Sequence, residues 1–219
     1  MEPDLKVADI GFVRSPSLLG GVIRRATRRR GEDPTEAQHV LGVIRGGRWH
    51  EAIIAEALGR VEAHGLVTAY GGRPAEVLIA RPLNIPEYDR ILIAGRVHSQ
   101  VGRRYPKWHL IYQALDAVLG DRYIFRRLAT QYGRKVCSAL WAWGYMIDSS
   151  ARRYGFGLPE LAATPDDLLD FVRATLGEKW TIIREWAPVA TAPSVPTPAI
   201  VVPSEAQAAQ APEPTRLGG

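Results

Sequence analysis

The stretch RKVCSALWAWGYMI, Arg134 to Ile147, decides how the rest of the chain is read. It holds the only cysteine, Cys137, just behind Arg134 and Lys135, and runs on as an apolar, aromatic segment suited to a buried helix. Placed in the first turn of that helix, Cys137 would have its thiolate favoured by the unpaired backbone amides and by the two cations. On its own, a lone cysteine among Val, Ala and Leu reads as a small apolar core residue. The reactive reading needs a base and an orienting group from elsewhere. Leu140, Trp143, Gly144 and Ile147 are expected to anchor the helix in the core.

The chain has 219 residues and a net charge of +5, long enough for one sizeable core. The expected organisation is a globular domain over 1–187 and a tail over 188–219. Seven of the sixteen prolines fall in that tail, with Ala, Thr, Ser and Gln and almost no charge, so it is expected to stay disordered. One cysteine excludes an internal disulfide, and no Cys/His cluster has zinc spacing; no metal or cofactor is implied. The start, MEPDLKVADIGF, lacks the apolar core of a secretory signal, and no apolar run reaches the ~18 residues that span a bilayer. The protein is expected to be cytoplasmic as encoded, unless another route exports it. The basic balance favours anionic partners.

Lys6–Arg14 reads as a strand and Leu18–Arg30 as a helix ending in RRATRRR, a basic run without interleaved aromatics for stacking bases. QHVLGVI, Gln38 to Ile44, reads as a central strand with His39, Leu41 and Val43 on one face. Gly46-Gly47 turns the chain into a paired strand over Trp49–Leu58, where Ala52, Ile54, Glu56 and Leu58 share a face. A carboxylate on an apolar face is costly unless paired, which singles out Glu56; Glu51 points the other way. Arg60–Tyr70 reads as strand and loop, Glu76–Arg81 as a strand ended by Pro82, and Pro86–Arg96 as a helix with Ile91, Ala94, Gly95 and His98 on one face. GRRY (Gly102–Tyr105) interrupts it before an aromatic-rich segment from Pro106. Thr164-Pro165-Asp166-Asp167 is a helix start with Pro at the first helical position, opening a helix through Leu176, and Lys179–Trp186 is the last strand.

Three residues combine in chain order: His39, Glu56 and Cys137. A thiolate nucleophile, an imidazole to move its proton and a polar group to hold the imidazole are the parts of a cysteine hydrolase. DIGFVR, then a histidine opening an apolar strand, then Glu-Ala, then GRRY, then VCSALWAW resembles the circularly permuted papain-like cysteine hydrolases. These are the permuted branch of the NlpC cell-wall peptidase superfamily, related to the lecithin retinol acyltransferase group. The likeness covers roughly Ala8 to Asp170. It implies Cys137 as nucleophile, His39 as base and Glu56, with Glu51 the other candidate, as the orienting acid; it also places Tyr105 and Ser138 near the substrate. The sequence departs from that pattern at Gln38, where the family has Ser, at Ala8, where it has Gly, and at Leu41, inserted between Val40 and Gly42.

The expected fold is therefore α+β and papain-like: a small antiparallel sheet carrying His39 and Glu56, packed on the helix that begins at Cys137. The expected chemistry is acyl transfer through a thioester, on cell-wall peptide or lipid-linked amide or ester substrates. His98 and His109 are competing bases. Two other readings stay open: a binding module that keeps the fold with an inert site, and a nucleic-acid binder using Arg24–Arg30.

Overall fold

The computed structural model describes residues 2–16, 36–104, 137–146, 155–156 and 164–191. Six antiparallel strands form one sheet: β1 (Ile10–Arg14), β2 (His39–Arg45), β3 (Ile53–Ala57), β4 (Val61–Gly65), β5 (Glu76–Pro82) and β6 (Trp180–Pro188), ordered β4-β3-β2-β1-β5-β6. With helices α1 (Leu66–Tyr70), α2 (Glu87–His98), α3 (Cys137–Gly144) and α4 (Pro165–Ala174), the fold class is α+β. Among the described residues no helix is long and apolar enough to cross a membrane.

The sheet separates two apolar layers because successive side chains of a strand point to opposite faces. One layer takes Ile10, Phe12, Val40, Ala55, Leu78 and Ala80, covered by Ile93 and Val97 of α2, Leu140 and Trp141 of α3, and Leu168, Leu169 and Val172 of α4. The other takes Leu41, Val43, Ile54, Val77 and Ile79, covered by Trp49 and by Leu66, Ala69 and Tyr70 around α1. Glycine at position 42 lets α3 approach: a Cβ there would overlap Cη2 of Trp141 at 2.6 Å. The Trp141 indole also donates to the Ala55 carbonyl at 3.1 Å. Trp141, fully buried, is thus the main anchor of α3. Of the expected anchors, Leu140 and Gly144 are buried, Trp143 is half-buried beneath the Arg96 guanidinium, and Ile147 lies outside the described residues.

Ahead of β1, Asp9 is fully buried and compensated by Arg81, whose guanidinium donates to both carboxylate oxygens, and by Arg90 at 3.6 Å. Burial of a carboxylate requires such pairing. The preceding Ala8 sits at φ 65°, a left-handed backbone that glycine adopts most readily. Its amide donates to Val43 O, and its carbonyl accepts from the Tyr145 hydroxyl.

Several boundaries differ from the sequence reading. The first strand begins at Ile10, because Lys6 to Asp9 form a turn. Residues 48–52 are also a turn, closed by Arg48 O accepting from the Glu51 and Ala52 amides, so β3 starts at Ile53. Arg60–Tyr70 contains the expected strand, β4, followed by the short helix α1 where a loop was expected. Pro82 lies within β5 and pairs with Trp180. On α2 the buried face is Asp89, Arg90, Ile93, Ala94 and Val97, while Ile91 is exposed. α4 ends at Ala174, after a capping box in which Thr164 and Asp167 bond each other's amides. β6 runs to Pro188, and buried Val189 accepts from the Gly72 amide, two residues into the stretch read as tail. The helix over Leu18–Arg30, the segment from Pro106 and the tail beyond 191 lie outside the described residues.

Candidate active site

His39 is the first residue of β2, registered opposite Val13 of β1. Its approach is fixed from several sides. The Glu36 and Ala37 amides donate to Asp166 at 3.0 and 3.5 Å, and the Gln38 amide donates to Val13 O. The Glu36 carboxylate accepts from Arg173 and from the Trp186 indole. Burial, with Asp170 nearby, raises the Asp166 carboxyl to about 6. Helix α4 and strand β6 thereby hold the segment that leads into the histidine.

Glu56 lies on the neighbouring strand, opposite Leu41. The parity of the two strands puts it on the face of Leu41 and hence of His39. The carboxylate is 1% exposed and both of its oxygens are engaged by three neighbours. Oε2 meets His39 Nε2 at 2.7 Å and accepts from the Tyr70 hydroxyl; Oε1 meets His64 Nε2 at 2.6 Å. Burial opposes ionisation of Glu56, but the hydrogen bonds and charge from His39, His64 and Tyr70 prevail and hold its pKa below the usual carboxylate range. His64 is raised, chiefly by its bond to Glu56. Tyr70 is raised by burial and by the adjacent carboxylate, so its hydroxyl stays a donor.

Cys137, first residue of α3, is buried and within hydrogen-bond reach of His39. Since Glu56 engages Nε2, the other ring nitrogen is left for the sulfur. Burial by itself would raise the thiol. The His39 charge, its hydrogen bond and the amides of Val40 and Ser138 overcome that penalty, and the thiol is lowered. For His39, burial disfavours the imidazolium, but Cys137 and Glu56 outweigh it and raise its pKa to about 10. The favoured state is a thiolate–imidazolium pair beside a carboxylate, an arrangement in which sulfur can attack an acyl carbon and the imidazolium can protonate a leaving group. Comparison with protein families, curated proteins and solved structures finds no match.

The three residues singled out together in the sequence, His39, Glu56 and Cys137, are together in space. Ser138 is fully buried next to Cys137 and contributes its amide to the sulfur. Glu51 is in a different place: it is exposed and paired with Arg48 at 3.0 Å. His98 is exposed at the end of α2, and Tyr105 and His109 lie outside the described residues. Among the described residues, no group of three or more His, Cys, Asp or Glu could hold a metal ion.

His64 and Tyr70 were not picked out from the sequence. The signal for His64 was a hairpin with its turn near Gly59: the register Glu56↔Glu62 and Ile54↔His64 sets His64 diagonal to Glu56 on the same face. Tyr70 follows only once residues 66–70 are known to be helical.

Proposed function

We propose that this chain is a papain-like cysteine hydrolase of permuted order, acting by acyl transfer through a thioester on Cys137. The observation that carries the proposal is the contact of the buried Cys137 thiol with an imidazole whose other nitrogen is held by the buried Glu56 carboxylate. In this reading the thiolate attacks a carbonyl carbon, and the tetrahedral oxyanion is met by backbone N–H groups, including that of Cys137 at the start of α3. The His39 imidazolium then protonates the leaving amine or alkoxide as the carbon–heteroatom bond breaks, leaving a Cys137 thioester. Neutral His39 next takes a proton from the acceptor, which attacks the thioester and releases the thiolate. Water as acceptor gives an amidase or peptidase; an amine or lipid hydroxyl gives an acyltransferase.

Glu56 is the positioning residue of this scheme. It fixes which nitrogen of His39 faces the sulfur and stabilises the imidazolium. No cofactor is required by any step. The substrates proposed are peptide or amide bonds of cell-wall material and lipid-linked amides or esters, in keeping with the chain's positive balance. The test is hydrolysis of peptidoglycan fragments and acyl esters by the wild-type chain and by Cys137→Ala. Activity in the former, abolished in the latter, is expected; activity that survives the substitution overturns the proposal.

A further inference from the structure

Two imidazoles share the Glu56 carboxylate. His39 Nε2 meets Oε2 at 2.7 Å, and His64 Nε2 meets Oε1 at 2.6 Å. An ionised carboxylate can only accept, so Nε2 of each ring carries hydrogen, and His64 gains or loses its second proton at Nδ1. The register Ile54↔His64 puts His64 on the sheet face of Ile54, whereas Leu140 and Trp141 of α3 pack on the opposite face. The sheet thus lies between His64 and the helix of the nucleophile, and a role for His64 in the reaction runs through Glu56 and His39. On its own side the ring reaches solvent: it is 25% exposed and lines a cavity of about 540 Å³, roomy enough for water.

The bond to Glu56 on β3 is the largest influence on the His64 ring and favours its charged form over the cost of partial burial. The Glu62 charge on its own strand works the same way, and Arg73, in the segment after α1, works against it. Tyr70 of α1 donates to the same carboxylate oxygen as His39, and Arg60 lies 3.4 Å from Glu62. With its pKa raised, the His64 ring changes charge above its ordinary 6.5, whereas His39 keeps its proton up to about 10. Two positive charges on one buried carboxylate oppose each other. While His64 is charged, Glu56 stabilises the His39 imidazolium less, and His39 releases its proton to a leaving group more readily. Once His64 is neutral, the imidazolium is held more tightly.

We propose that His64 is a positioning residue of the hydrolase, a second, solvent-facing partner of Glu56 whose proton sets how strongly the carboxylate holds the His39 imidazolium, so that pH regulates the site from the sheet face opposite α3. This rests on the cysteine-hydrolase reading and adds a regulator to the same site.

The test uses the full-length chain as wild type, His64→Gln and His39→Gln. Glutamine at 64 keeps an N–H donor for Glu56 but takes up no proton, so a purely structural histidine would be replaced there without consequence. An NMR titration follows the His64 ring in wild type and His39→Gln, and its midpoint should rise by about one unit when the competing charge of His39 is removed. Alkylation of Cys137 by iodoacetamide over pH 5 to 9 is the second readout. Loss of the His64 proton makes the thiolate more basic, and about half a unit of basicity should lift the wild-type rate constant about twofold across the His64 midpoint. His64→Gln should remain reactive but lack that step; Asp166, raised to about 6, is present in both chains and cancels. A His64 midpoint unmoved by His39→Gln, or an alkylation profile unchanged in His64→Gln, overturns the inference while a reactive Cys137 keeps the hydrolase reading. A moved midpoint beside a Cys137 that iodoacetamide does not modify at pH 7 keeps the coupling of the two histidines and overturns the hydrolase reading.

Discussion

Replacing Glu56 probes the site through folding stability, without any substrate. The carboxylate is 1% exposed and accepts from three side chains. In Glu56→Ala, the His39 ring, 13% exposed, and the buried Tyr70 hydroxyl lose their acceptor, whereas His64, a quarter exposed, can turn to water. Each buried donor left without a partner costs about 1–3 kcal/mol, and removing one member of a buried ion pair costs about 3–5 kcal/mol. A loss of about 3–5 kcal/mol is therefore expected. Glu56→Gln keeps the shape and one acceptor oxygen, and His64 can take the tautomer that accepts from the new amide. Its cost should be smaller, about 1–2 kcal/mol, reflecting the lost charge on the remaining bonds. The assay is urea unfolding at pH 7 followed by tryptophan fluorescence, with an unchanged denaturant slope showing that the same surface unfolds. The pH dependence supplies a second readout. Glu56 has a folded-state pKa below its ordinary 4.5, so its stabilising contribution is present above about pH 4.5 and is lost as pH falls through the folded value. The wild type should consequently lose its advantage over Glu56→Gln on acidification. An Ala variant within about 1 kcal/mol of wild type at pH 7 would show that Glu56 is not the hub of the site.

Glu51→Ala, by contrast, should leave the urea midpoint of the same assay close to that of wild type, because its pairing with Arg48 is exposed and screened by solvent. Gly42→Ala should lower stability by about 1–3 kcal/mol, since the new methyl meets the Trp141 ring; a melting temperature equal to wild type would show that α3 does not depend on this close approach. Thr164→Ala removes the capping box of α4 and should cost about 1 kcal/mol, read by thermal unfolding. Because His39 is raised to about 10, the stability contributed by its charge is complete below about pH 6.5 and lost as pH rises towards 10. Unfolding of wild type and His39→Gln at pH 6, 8 and 10 should show the wild-type advantage shrinking over that window.

The parts of the fold written in strong local chemistry were readable from the sequence. HVLGVI is a short apolar run with β-branched residues, bounded by a loop and the Gly46-Gly47 turn, which marks a central strand, and Thr164-Pro165-Asp166-Asp167 carries the groups of a helix start. Glu56 stood out because an unpaired carboxylate is expensive on the apolar face of a strand, and its partner proved to be His39. What escaped depends on tertiary neighbours. The inner face of α2 was misassigned because it carries Asp89 and Arg90, and Arg90 is buried only because Asp9 and the Val7 and Pro82 carbonyls receive it. In α3 nearly every residue is apolar, so no sequence stripe marks Trp141 as the side chain that seats on Gly42. His64 and Tyr70 belong to the site only through a hairpin and a five-residue helix, and neither carried a periodic signal long enough to read.

The central claim, that Cys137 is held as a thiolate by His39, is tested most directly by titrating the thiolate absorbance near 240 nm. The Cys137→Ser chain serves as the blank, and His39→Ala as the comparison. In the wild type a thiolate should already be present well below the ordinary thiol value of about 8.5. In His39→Ala the burial of the sulfur, then opposed only by the Val40 and Ser138 amides, should move ionisation upward from the wild-type value. A wild-type thiol that ionises at about 8.5 or higher, with no change on removing His39, would contradict it.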